Sequence, residues 1–348
     1  MISPIAGAFR SAFLRGVVIA AVTLAAHAAS AQDQPAQAKL RLAVGGKSAI
    51  FYLPLSVTER LGYFKEAGLD VEIADVQSGA RALQSLIGGS ADIGVGTFDH
   101  TIQMQAKGQP VVAVVQYGRF PGFVLGTISS KAIAYQGPKS LKGLKIGVTS
   151  PGSSTHFMAA YMLVRSGFKP DDASFIGTGI TSTAVAAARR GEIDVIISSD
   201  PMISLMQSEG LVHIAADTRT PSGTQAVYGG PYPGGVVYAT PAFIASNPST
   251  VQAAVTAFVR ALKWMALHSP QDIANAMPEE YALGNKEIYL RALTASQEMY
   301  SRDGRFVEGA VDTAYQVLKV FDASVANTRI DLSKTFVTGF VQKALADN

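Results

Sequence analysis

The stretch "GVTSPGSSTHFMAAYML" (residues 147–163) carries a short apolar run into a turn of proline, glycine and serines, then into residues with helical spacing. A strand that ends in such a turn and feeds a helix is the repeating unit of a parallel α/β sheet. Its front end, "LKIGVTS" (144–150), echoes "LRLAVGG" (40–46), and "RRGEIDVIISSDP" (189–201) echoes "IGGSADIGVGTFD" (87–99). In the second pair Gly89 corresponds to Gly191, Asp92 to Asp194, and Asp99 approximately to Asp200. Two similar α/β units in tandem follow, each too small to enclose a ligand alone, so the cleft between them is the expected site.

Outward from these echoes, strands are expected at 40–44, "DVEIADV" (70–76), "ADIGVG" (91–96) and "PVVAVVQY" (110–117). Helices are expected over 54–68, 79–89 and 100–108. Beyond "YGGPYPGGVVYATPAFIASNP" (228–248) the pattern turns helical, through 249–270, 286–300 and 307–321. Helices without new strands need a sheet to cover, so this tail is expected to pack on the first unit, with Trp264 as packing.

Residues 1–31 read as a secretory signal peptide: Arg10 and Arg15, the apolar run "GVVIAAVTLAA", then small residues with Ala-x-Ala cleavage options near Ala29 or Ala31. The expected location is the periplasm. Without the leader's two arginines, 27 basic residues face 26 acidic ones, and no basic run suggests nucleic acid. The absence of cysteine removes disulfides, thiolate metal sites and cysteine nucleophiles.

Ligand contacts in open α/β sheets come from loops leaving the carboxyl ends of strands. Here these are "GGKSAIFY" (45–52), "QSGAR" (77–81), "TFDH" (97–100), "SPGSSTH" (150–156), "GTGITS" (177–182) and "SSDP" (198–201), with "YGGPY" (228–232) at the return crossing. Their Gly, Ser and Thr content offers backbone N–H groups and hydroxyls, which suits a polar or anionic group held at helix N-termini. Ser78, Gly79, Ser153, Ser154 and Thr155 open such helices, although Ser and Thr also serve there as plain caps. Asp99 and Asp200 could read a ligand hydroxyl or amine, or tie down neighbouring amides. Lys47, Arg81 and His156 could counter a negative charge. Phe51, Tyr52, Phe98, Phe157 and Tyr228 could line an apolar wall or fill the core.

Enzyme readings lack parts. "GSSTH" has no second glycine for a nucleophile elbow, no orienting acid is identifiable for His156, and Gly-Lys-Ser/Thr is missing from the loop. The five histidines show no metal-ligand spacing, so neither metal nor cofactor is expected.

The chain resembles the periplasmic substrate-binding proteins of ABC importers of the sulfonate, nitrate and taurine type. The resemblance is carried by "YLPLSVTERLGYFKEAGLDVEI", "SGARALQSLIGGSADIGVG", "SLKGLKIGVTSPGSSTHFMAAYML" and "GEIDVIISSDP". It implies the two-lobed periplasmic-binding-protein fold, type II, with two α/β lobes joined by a two-strand hinge. Lobe 1 would be discontinuous, 39–125 and 235–348, and lobe 2 would span 126–234. It further implies a monomeric receptor handing a small ligand to an ABC permease. The ligand contacts it implies are Ser48, Phe51, Ser78, Gly79, Thr97, Phe98, Asp99, Ser153, Ser154, Thr155, His156, Thr181 and Ser182, beside Asp200 and Tyr228 from the loop reading. The apolar and aromatic content leans toward an organic anion larger than nitrate. Pyrimidine-precursor synthases share the fold but characteristically carry a cysteine-rich motif, and a ligand-sensing input protein would share every feature but the partner.

Overall fold

The computed structural model describes residue 1 and residues 37–347. The expected signal peptide, apart from Met1, lies outside the described residues. Among those described, no helix is long and apolar enough to cross a membrane.

Among the described residues, ten strands form two five-stranded sheets. The first holds β1 (Ala38–Val44), β2 (Leu69–Asp75), β3 (Ile93–Thr97), β4 (Val112–Gln116) and β10 (Gly235–Ala239), in the order β2-β1-β3-β10-β4. The second holds β5 (Val124–Ile128), β6 (Lys145–Val148), β7 (Ser174–Gly177), β8 (Val195–Ser198) and β9 (Val212–Asp217), in the order β7-β6-β8-β5-β9. β1 pairs in parallel with β2 and β3, as β6 does with β7 and β8. In each sheet one strand runs antiparallel to two neighbours, β10 in the first and β5 in the second.

The sequence echo is a structural repeat down to single hydrogen bonds. Asp92 accepts the Arg41 N–H at 2.9 Å and returns its own N–H to the Arg41 carbonyl; Asp194 does both with Lys145, its side-chain contact at 2.8 Å. These reciprocal bonds pin the start of β3 to β1 and of β8 to β6, fixing register where one face must stay buried.

The apolar pattern from 54 to 68 resolves into two helices, Leu53–Arg60 and Tyr63–Glu66, split at Gly62 with its left-handed φ of 75°. The long tail helix Pro248–Leu267 packs on both of these, with Phe258 edge-on to Phe64 of the second at 5.7 Å. The tail covers the first sheet as expected and also reaches the second. Helix Lys286–Ser296 meets helix Met202–Ser208, and helix Ala310–Phe321 meets helix Ser154–Arg165, where Phe321 lies 5.6 Å from Phe157. Trp264 lies against the core and stacks on His268.

The chain crosses between sheets twice, from β4 to β5 and from β9 to β10. The crossings are joined by backbone hydrogen bonds, from Gly234 N–H to the Gly118 carbonyl and from the N–H groups of Tyr117 and Gly118 to the Gly235 carbonyl, and by Thr218 Oγ1, which accepts the Phe123 N–H at 2.9 Å. A Cβ on Gly234 would stand 1.9 Å from the Phe120 carbonyl oxygen, so a side chain there cannot be accommodated without moving the crossing.

Candidate functional site

The carboxyl ends of β1, β3 and β6 converge on one small cavity. Its walls are Gly45, Phe51, Tyr52, Gly79, Thr97, Phe123, Thr149, Ser153, Ser154, Thr155 and Ile180. Two helix N-termini meet there, those of Gly79–Ile87 and Ser154–Arg165. Each presents N–H groups that no preceding turn can satisfy, with the helix dipole behind them. None of the lining residues is charged.

Hydrogen bonds tie the two lobes directly together around this space. Ala80 N–H donates to Ser153 Oγ at 3.2 Å, and Ser150 Oγ donates to Ser78 Oγ at 3.1 Å. Ser154 donates to Asp99 Oδ1 at 2.6 Å, which leaves its oxygen to accept from Thr97 Oγ1 at 2.5 Å. Asp99, 1% exposed, takes its other bond from the Tyr232 hydroxyl at 3.2 Å. Ile50 N–H donates to the Asp200 carbonyl at 2.8 Å, and His100 Nε2 lies 3.3 Å from the Gly152 carbonyl. These bonds hold the cleft closed around the cavity.

Gly45 is required by close approach: a Cβ there would fall 2.5 Å from Gly79 N and 2.7 Å from the Tyr52 hydroxyl. Burial pushes the Tyr52 hydroxyl well above its ordinary value, with Asp75 and Asp99 adding to the effect, so it stays protonated and can donate.

Of the residues singled out in the sequence, Phe51, Tyr52, Gly79, Thr97, Ser153, Ser154 and Thr155 line the cavity. Ser78 stands directly behind it, capping its helix through the Arg81 N–H. Thr155 also accepts from the Thr149 N–H at 3.1 Å, so its oxygen is partly committed to shaping the loop. Ser48 is half-buried beside the cavity and does not line it.

Other expectations are corrected. Phe98 turns into the core against Phe306 and Phe336. His156 accepts the Gly152 N–H at Nδ1 and rests on Phe175, 4.3 Å between centroids, which commits it to its own loop. Ser182 is exposed and Thr181 half-buried; the loop delivers Ile180 in their place. Tyr228 is stacked between Tyr161 and Tyr232. Asp200 is held by Arg219 Nη1 at 2.6 Å and caps helix Met202–Ser208 through the Ser204 N–H. Burial acts to lower the Arg219 value, but Asp217 and Asp200 together hold the guanidinium above its ordinary range. Arg81, one of the proposed counter-charges, is exposed, and Lys47 pairs with Glu59.

Sequence reasoning missed Phe123, Thr149 and Ile180 as lining residues, and missed His100 and Tyr232 as partners. It also found no acid near the serines, whereas Asp99 meets Ser154 across the cleft. Phe123 lies on a crossing and Tyr232 on the return strand's approach, positions with no local signal of what they face.

A family model described as "NMT1/THI5 like" matches residues 51–273. The chain belongs to the NMT1/THI5-like family. One solved member of this structural group, a protein of Bordetella bronchiseptica RB50, is 42% identical, with a TM-score of 0.85 over 89% of this chain and 98% of that one. The alkanesulfonate-binding protein SsuA of Xanthomonas axonopodis pv. citri, solved with MOPS, is 16% identical at a TM-score of 0.67, covering 87% of this chain and 99% of its own. It establishes the likeness of fold: the two-lobed periplasmic-binding-protein architecture. Among curated relatives of this NMT1/THI5-like chain, the YtlA protein of Bacillus subtilis is 26% identical over 67% of this chain and 68% of its own. The 4-amino-5-hydroxymethyl-2-methylpyrimidine phosphate synthase THI11 of Saccharomyces cerevisiae is 27% identical over 37% of each.

Proposed function

We propose that the chain is a periplasmic solute-binding receptor that captures a small organic anion, of the sulfonate or carboxylate class, and delivers it to an ABC-type permease as a monomer. In this reading lobe 1 comprises 39–125 and 235–348, lobe 2 comprises 126–234, and the solute lies between them. The observation that carries the reading is the convergence of two helix N-termini, at Gly79 and at Ser153–Thr155, on one cavity shared by both lobes. Backbone N–H groups and hydroxyls would hold the anion without a basic side chain, a mode that helix N-termini support. Phe51, Tyr52, Phe123 and Ile180 give the apolar remainder of the solute a wall to rest on. Contacts from both lobes exist only when the cleft is shut, so solute binding shifts the population toward closure.

The experiment is a thermal-shift screen of the purified protein against sulfonates, aliphatic and aromatic carboxylates, pyrimidines and nitrate. A solute at a hundredfold over its dissociation constant adds about 2.7 kcal/mol of stability. Stabilisation by a sulfonate or carboxylate supports the reading. Stabilisation by pyrimidines alone would replace the anion with a heterocycle. No stabilisation, together with turnover of ester or phosphate substrates that Ser154→Ala abolishes, would replace the receptor with an enzyme.

A further inference from the structure

Gly152, in the loop that opens the Ser154–Arg165 helix, is gripped on both sides by histidines. Its N–H donates to His156 Nδ1 at 3.1 Å, within the same lobe. Its carbonyl lies 3.3 Å from His100 Nε2, which reaches over from the other lobe. We propose that His100 and His156 are positioning residues that make closure of the cleft proton-dependent, holding the Ser153–Thr155 helix start in place only while both rings are neutral.

The geometry dictates the protonation states. Nδ1 of His156 accepts a hydrogen bond, so it carries no proton. Nε2 of His100 faces an oxygen, so it carries the ring's hydrogen, and its Nδ1 is buried without a partner. Adding a proton to that Nδ1 would bury both a charge and an N–H with no acceptor. Tyr238 and Phe157 stand edge-on to the His100 ring, and its Cε1 and the Tyr52 hydroxyl flank Gly79. Burial is the largest influence and, with Lys107, disfavours protonation; it outweighs Asp99 and the bond to the Gly152 carbonyl, which favour it, and lowers the ring's value below 6.5. His156, between Phe157 and Phe175, is likewise lowered by burial.

Opening the cleft exposes His100 and returns it to an ordinary value near 6.5. Below that pH the open form takes up a proton that the closed form resists, so closure weakens as pH falls. The closed-to-open ratio drops by up to about tenfold per pH unit for His100, until its depressed value is reached. Protonating His156 removes the acceptor that orders the loop and steepens the fall.

The inference rests on the solute-receptor reading for its use, but its test needs no solute. The cysteine-free sequence allows Ser90→Cys and Lys139→Cys to carry a fluorophore pair, one on each lobe. The expected result is an inter-label distance that is constant from pH 8 to 7 and lengthens from about pH 6.5 to 5. His100→Gln and His156→Gln each remove part of that response, and the double variant removes it. A distance independent of pH, or a response undiminished in the double variant, overturns the proposal. If the variants fail to fold, ring proton resonances of the unaltered protein decide: His100 and His156 must titrate below the ordinary histidine value of about 6.5, and titration at that value overturns the proposal. A null solute screen leaves this titration standing, so the two readings fail separately.

Discussion

Two aspartates follow equivalent strands and have opposite fates. Asp99, after β3, receives hydroxyls from Ser154 and Tyr232 and helps hold the cleft shut. Asp200, after β8, is bound to Arg219, which also grips Asp217. The hydroxyls just before them differ as well. Thr97 donates into the cleft, whereas the Oγ of Ser199 is buried without a partner. An internal repeat therefore transmits position, and the partners each aspartate meets assign the role. Arg219 comes from the loop after β9 and Tyr232 from the return crossing.

The largest effect should come from breaking the Asp200 side. Arg219→Ala leaves Asp200 uncompensated at 0% side-chain exposure, and a broken buried pair costs about 3–5 kcal/mol. Urea denaturation measures it, and a loss below about 1 kcal/mol would mean that Asp200 does not depend on its cation. Next comes the junction between the lobes: Gly234→Ala forces a Cβ against the Phe120 carbonyl and should cost about 1–3 kcal/mol by overpacking. Unchanged thermal stability there would show that the crossings are looser than their backbone contacts imply.

On the Asp99 side, Ser154→Ala removes one donor from a buried carboxylate and should cost about 1–3 kcal/mol. Ser154→Asp places a second carboxylate against Asp99 and the cavity, and weakens capture of any anion identified in the solute screen. Titration calorimetry showing unchanged affinity would place the anion elsewhere. The smallest effect belongs to Ser182→Ala, an exposed position that the loop does not bring to the cavity. Stability should stay within about 0.5 kcal/mol, and a tenfold loss of affinity would return Ser182 to the site.

Much of the fold was legible because strand and helix periods and the two echoes are local signals. The Gly/Ser loops at the strand ends also meet at one face, and seven of the expected residues line the cavity there. The losses have a common cause. Phe98, Tyr228 and Asp200 were assigned by their place in a loop, but each is taken by a residue from another part of the chain: Phe336, Tyr161 and Arg219. Thr181 and Ser182 failed for a smaller reason. The chain turns one residue earlier than polarity suggests and presents Ile180. His100 was passed over because the atom it approaches belongs to the opposite lobe, which no sequence period can bring near it.

The strand order of the first sheet has a consequence for the order in which the molecule is made. β3 and β4 do not pair with each other; β10 lies between them, and it begins only at Gly235. The second sheet draws all five strands from one uninterrupted stretch, Val124 to Asp217. A chain emerging from its N-terminus must therefore keep β3 and β4 unjoined while the whole second sheet is synthesised. The part begun first is completed last, and until then its central gap is an unpaired edge open to any other strand.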